Sequence, residues 1–327
     1  MLERKKLKKR LTLFLVFTFL VTYLYEFLIL FPQWRQVRSV GALKLAPVMF
    51  IPGIVALLVR LFTDEGFQNA CFNPRFKRGK RKYYLMAWFL PAVLCIAGAL
   101  LYFLFFRGNY SPDMAFYVGV LEKRGDTVSV PAVKQQVISS AAAGLLLAPI
   151  LNIFTCFGEE WGWRAYLLPK LRDLLGLKKA VILSGIIWGL WHMPLTIMGH
   201  NYGLDYAGYP VTGILAMCLF CEVIGIFFAF LYVRTGSVFP AVFAHGALNG
   251  FASVGIYFTK DGGNPFIGPS VTGIIGGLPF IILAVFCFRA LQKNNREAPE
   301  LAEKKKPKPV RQKTERREPQ KKGPEKE

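Results

Sequence analysis

Runs of about 20 apolar residues, the length a helix needs to cross the hydrocarbon core of a bilayer, take up most of this chain and leave few folds open to it. Eight such runs can be marked, at 11–31, 41–61, 84–106, 137–157, 180–198, 211–233, 238–257 and 267–288. The expected fold is therefore all-α, a polytopic membrane protein built as a bundle of about eight transmembrane helices. With 54% hydrophobic and only 19% charged residues, the chain is too apolar for an ordinary soluble enzyme. The first run is too long for a removable signal peptide and lacks a small-residue cleavage site, so it is expected to remain as an anchor.

Charge divides the chain further. Lys and Arg cluster at Arg4–Arg10, Arg75–Lys82, Lys170–Lys179, Arg234 and the tail after Phe288, and these clusters alternate onto one side of the expected bundle. The loop at 199–210 has none, although the loop at 107–133 carries Arg107, Lys123 and Arg124. The positive-inside rule then gives a multi-pass integral membrane protein with both termini cytoplasmic. Three regions follow: a basic cytoplasmic head at 1–10, a helical membrane domain at 11–289, and a basic cytoplasmic tail at 290–327. The tail is rich in Pro, Lys and Glu and too poor in apolar residues to fold. The net charge of +21 lies in juxtamembrane clusters and the tail, so the expected partners are anionic lipid headgroups and no nucleic acid.

There is no internal repeat, Walker loop, dinucleotide fingerprint or Cys/His zinc knuckle. Cys218 and Cys221 have redox spacing but sit in an apolar run, where cysteine packs as a small hydrophobe. Function must come from polar residues within the helices. Each ionisable group there costs roughly 2.5–3.5 kcal/mol on insertion scales, so it is expected to face a partner or a wet cavity.

Glu26 and Lys44 stand apart from other polar groups, and Glu222 lies in an otherwise apolar stretch. The remaining residues form a pattern. Glu160 and Arg164 are four apart on one helical face and suited to an ion pair, whereas Glu159 is turned away by about 100°. Trp188 and His192 share the same spacing, as do His245 and Asn249, with the small Gly246 and Ala247 between the latter pair allowing a neighbouring helix to come close. A carboxylate, two imidazoles and an amide are the groups needed to activate water and stabilise an oxyanion.

In this order, Glu159-Glu160-x-x-x-Arg164, an aromatic-x-x-x-His192 motif and His245-x-x-x-Asn249 resemble the CPBP family of intramembrane proteases, also called the Abi family, which includes type II CAAX prenyl endopeptidases and proteins of bacteriocin processing and self-immunity. The resemblance covers residues 137–258. The family usually has Phe where this chain has Trp188, while every polar position matches. What it implies is hydrolysis of a peptide bond in a membrane-associated, in some members prenylated, protein or peptide. Glu159 would be the general base, His192 would help to hold the water, His245 and Asn249 would stabilise the oxyanion, and Glu160 and Arg164 would fix the first helix.

Two routes to the nucleophile stay open. Glu159, His192 and His245 match a triad for one divalent metal ion such as zinc. Against this, no His-Glu-x-x-His helix is present, and a desolvated glutamate can act as base unaided. The metal-free route is the one favoured. Other classes compatible with the sequence are a non-catalytic membrane scaffold or immunity factor of the same fold and, at greater distance, a transporter, for which inverted repeats are missing.

Overall fold

In lipid a segment must satisfy its own backbone N–H and C=O groups, and for long apolar runs the helix does this. The computed structural model describes residues 2–37, 42–77 and 79–293. Its elements are α1 (Leu2–Val37), α2 (Ala42–Phe62), α3 (Arg81–Phe105), a short α4 (Ala115–Lys123), α5 (Val130–Leu151), α6 (Ile153–Leu175), α7 (Leu177–Trp191), the five-residue α8 (Met193–Ile197), α9 (Val211–Thr235), α10 (Phe239–Phe251) and α11 (Leu278–Lys293). No strand occurs among the described residues. The chain is an all-α polytopic membrane protein. The expected tail lies, from residue 294 onward, outside the described residues.

The number of spans differs from the eight expected. Among the described residues five helices are long and apolar enough to cross a membrane, and a sixth is added if the bent pair α5 and α6 counts as one. The run at 180–198 falls short because α7 stops at Trp191 and Pro194, which has no N–H to donate, follows directly. The run at 267–288 falls short because residues 267–277 carry Gly268, Pro269, Gly273, Gly276 and Gly277 and form turns. Only the 16 residues of α11 are helical there, a length of about 24 Å against roughly 30 Å of hydrocarbon.

Helices α5 and α6 meet at an angle of 51°. Pro149 removes one ladder hydrogen bond just before the break, and Asn152 takes over local bonding by donating its side-chain amide to the Ala148 carbonyl at 2.9 Å. The bend lets α6 run along α2, and α10 settles between α3 and α5. These contacts bring backbones together. A Cβ on Gly158 would stand 2.9 Å from the Phe50 Cα, and one on Gly246 would stand 3.1 Å from the Pro149 Cα. The small-residue approach expected at Gly246 is thus made, against α5.

One end of the bundle is tied by cations. Glu65, just beyond α2, meets Lys170 of α6 at 2.6 Å and both Arg60 and Arg10 at 3.7 Å, and it accepts a hydrogen bond from the Tyr166 hydroxyl at 3.1 Å. Nearby, Lys80 donates to the Arg234 carbonyl, and Arg234 donates to the Ala290 carbonyl at 3.2 Å. Burial, and then the neighbouring Arg234 and Arg75, hold the Lys80 ammonium below the usual lysine range. The basic ends of α1, α2, α3, α6, α9 and α11 therefore gather at the same end.

The closeness of α2 and α6 can be checked directly. Gly158→Ala must push a methyl group into the Phe50 backbone, and overpacking of this kind costs about 1–3 kcal/mol. Thermal unfolding in detergent should show a lowered Tm for this variant, whereas an unchanged Tm would mean that the two helices part freely.

Candidate active site

The first polar element sits at the centre of α6, where the helix widens into a π-helical turn over Trp161–Leu167. Such turns occur often at functional sites, because they insert one residue without ending the helix. Glu159 and Glu160 precede it and are 1% and 0% exposed. Adjacent residues on a helix point in different directions, and these two have different surroundings.

Glu160 is bound on one oxygen from two sides. Its Oε1 accepts from Arg164 Nη1 at 3.2 Å and from His245 Nδ1 at 2.9 Å. The Arg164 guanidinium in turn lies 4.3 Å from the Trp188 ring centre and 5.2 Å from that of Phe228. A cation held between aromatic faces in a dry interior keeps part of its attraction to them. Three helices besides α6 are engaged: α7 through Trp188, α9 through Phe228 and α10 through His245.

Glu159 faces a cavity of about 320 Å³ that Glu160 and Arg164 do not line. Its Oε1 accepts a hydrogen bond from the Trp188 indole. His192, His245 and Asn249 line the same cavity. His192 sits where α7 ends, with Nδ1 2.9 Å from the Trp188 carbonyl. A carbonyl only accepts, so Nδ1 carries the proton and Nε2 keeps a lone pair. On His245, too, Nδ1 carries a proton, because Glu160 as a carboxylate only accepts. Asn249 donates one amide hydrogen to the Cys156 sulfur at 3.7 Å and has a second to offer.

All six expected site residues are thus brought together, four on the cavity and two behind it. Glu26, Lys44 and Glu222 do not line it. Two further residues line the cavity. His200, the third histidine, lines the cavity and lies parallel to His192 with ring centres 6.5 Å apart. The eight-residue spacing from His192 to His200 was the available signal, hidden because 199–210 reads as a loop. From sequence Trp188 is only the aromatic residue four before His192, whereas in the structure its indole N–H donates to Glu159.

Among the described residues no three His, Cys, Asp or Glu side chains gather into a set that could hold a metal ion. Glu159, His192 and His245 share a cavity without converging on one point, and one oxygen of Glu159 is already taken by the indole.

Residues 140–251, which contain every one of these six residues, match the family model for type II CAAX prenyl endopeptidases of the Rce1-like kind. Over this segment the chain is similar to the CAAX protease family. A relative, CAAX prenyl protease 2 of Methanococcus maripaludis, is 32% identical over 92 residues, which is 28% of this chain and 34% of the relative. The chain thus matches about a third of that relative's length. The cavity is lined from outside the matched segment as well, among others by Leu45, Val48 and Met49 of α2 and by Ser270 and Thr272.

The buried pair makes a stability prediction. Arg164→Met strands the Glu160 carboxylate in a dry interior, and breaking one partner of such a pair costs about 3–5 kcal/mol. Adding Glu160→Gln removes the stranded charge, so the double variant should recover part of the lost Tm. Equal Tm values for the single and double variants would show that the pair is not coupled.

Proposed function

We propose that the chain is an intramembrane endopeptidase that hydrolyses a peptide bond of a membrane-associated protein or peptide. The observation that supports this best is one buried carboxylate, Glu159, on a cavity shared with two imidazoles that each carry a proton on Nδ1 and with the Asn249 amide. A water held between Glu159 and His192 Nε2 gives a proton to Glu159 while its oxygen attacks the scissile carbonyl carbon. The carbonyl oxygen becomes an oxyanion, and Asn249 Nδ2–H and the Nε2–H of a protonated His245 donate to it. Glu160, 2.9 Å from His245 Nδ1, stabilises that imidazolium. The carbon–nitrogen bond then breaks, and the proton on Glu159 passes to the leaving amine. A carboxylic acid and an amine leave the site, and Glu159 is again a carboxylate.

The family-model match over 140–251 and the name of the relative support the protease class. No step runs through a metal ion, since the donors do not form a set. The basic ends of the helices and the tail are the groups that would meet anionic lipid headgroups.

Glu159→Gln keeps the shape and the acceptor for the Trp188 indole but loses the base. Hydrolysis should fall by roughly 100- to 10,000-fold at an unchanged Tm, measured on purified protein with one cleavable peptide. A wild-type rate in this variant removes Glu159 from the role of base, and a wild type that cleaves nothing favours the scaffold reading. Exhaustive chelation is expected to leave the rate unchanged. Activity lost on chelation and restored by zinc would instead assign an ion to Glu159, His192 and His245.

A further inference from the structure

Each long helix that lines the cavity below its rim uses the part of its length away from its basic end. From α2 come Leu45, Val48 and Met49, near its start, where Lys44 stands, while Arg60 near its other end joins the cation cluster on Glu65. From α7 come Trp188 and Trp191, near its end, while Lys178 and Lys179 occupy its first turn. Met217, Phe220 and Cys221 belong to the first half of α9, whose Arg234 lies at the opposite end. Beyond the catalytic pair on α10, Ala252 and Ser253 continue the wall away from the basic end.

The rim is made by His200, Asn201, Ser270 and Thr272, all on connections at that far end. No Lys or Arg lines the cavity. Exposure follows the same direction: His200, Asn201, Asn249 and Ser253 are exposed, whereas Glu159 is buried. Depth agrees as well. From Lys179 to His192 is a helical rise of about 20 Å, which leaves only about 10 Å of hydrocarbon between His192 and the far face.

The basic end fixes which face this is. Lys and Arg cross the membrane poorly during insertion, and each cation near an anionic cytoplasmic leaflet contributes about 1 kcal/mol. The head at Arg4–Arg10, the loop at Arg75–Lys82, the stretch Lys170–Lys179, Arg234 and Arg289 all act in the same direction. The opposite end is sparser, with Arg35 and Lys44 around the start of α2 and the remainder spread over 107–134 and at Lys260, and of these Lys134 is paired with Asp113 at 2.7 Å.

We propose that the cavity opens to the extracytoplasmic face, and that its substrates are peptide segments exposed on that face, such as a juxtamembrane stretch of an inserted protein or a translocated peptide. The substrate half of this rests on the peptidase reading; the direction of opening does not. A prenylated C-terminus held at the cytoplasmic leaflet lies across the basic end from Glu159 and does not reach it. Among the lining residues Glu159 is the one carboxylate, so the rim selects neither charge. Apolar side chains have Leu45, Met49 and Phe220 to pack on, and an extended backbone has the Asn201 amide and the Ser270 and Thr272 hydroxyls to bond.

Two arms test the two halves separately. In the first, a membrane-impermeant maleimide is applied to intact cells making the full chain with Ser253→Cys, and labelled positions are read by peptide mass. Native Cys71, half-buried beside the basic end, is the internal control. Position 253 should be labelled in intact cells and Cys71 only after permeabilisation. Labelling of position 253 only after permeabilisation, or from neither side, overturns the opening. In the second arm, the same randomised juxtamembrane segment is placed on either face of a single-span reporter, with the Glu159→Gln chain as background. Cleavage confined to the extracytoplasmic reporter is expected. Cleavage of the cytoplasmic reporter, alone or with the other, overturns the substrate assignment. If neither is cut while the labelling pattern holds, the peptidase reading falls and the opening stands.

Discussion

The Glu160 carboxylate, fully buried among the helices of the bundle, is the charge around which the rest is arranged. Alone, at this depth of burial, it would cost several kcal/mol. Arg164 supplies the countercharge from the same helix and His245 supplies a second donor from α10. The guanidinium is then screened by Trp188 and Phe228 rather than by solvent. Because the donors on its Oε1 and the rings over Arg164 come from four helices, pairing this one oxygen helps to fix how α6, α7, α9 and α10 lie relative to each other. The cavity is a consequence of that fixed arrangement. His245 cannot turn without losing Glu160, and Trp188 holds Glu159 with its N–H while its ring covers Arg164.

Much of this was legible in the sequence for a simple reason. In lipid the hydrophobic pattern and the cost of stranded charge are both severe, so a helical bundle and a short roll of polar residues follow from composition and spacing. The ion pair of Glu160 with Arg164 needed only helical periodicity, and it survives the π-helical turn that begins at Trp161. The separation of Glu159 from Glu160 followed from the same periodicity.

What stayed hidden was set by contacts between distant segments. An apolar run states how much hydrocarbon a segment tolerates, not whether it is one straight helix. Pro194 and the glycines of 267–277 shorten two runs that read as full spans, and they do so where the rim of the cavity is built. His200 looked like a loop residue because the helix breaks before it, yet the break is what turns it back beside His192. The indole of Trp188 could not be assigned a partner either, since its partner lies 29 positions away on another helix. The partner of Asn249 at Cys156, 93 positions away, was equally out of reach.

The adjacency of the two glutamates has its own logic. Placed three or four residues apart, they would share one face of α6, and both carboxylates would enter the cavity. Like charges at one site oppose each other's ionisation, so a base and a structural anion there would interfere. Placed side by side, they point about 100° apart. One then meets the substrate cavity, and the other meets Arg164 and His245 in the wall behind it. His245 links the two, since it binds Glu160 on Nδ1 and lines the cavity with the rest of its ring. The structural carboxylate thereby stands one imidazole away from the place where an oxyanion would form, and its negative charge is available to an imidazolium there without entering the cavity itself.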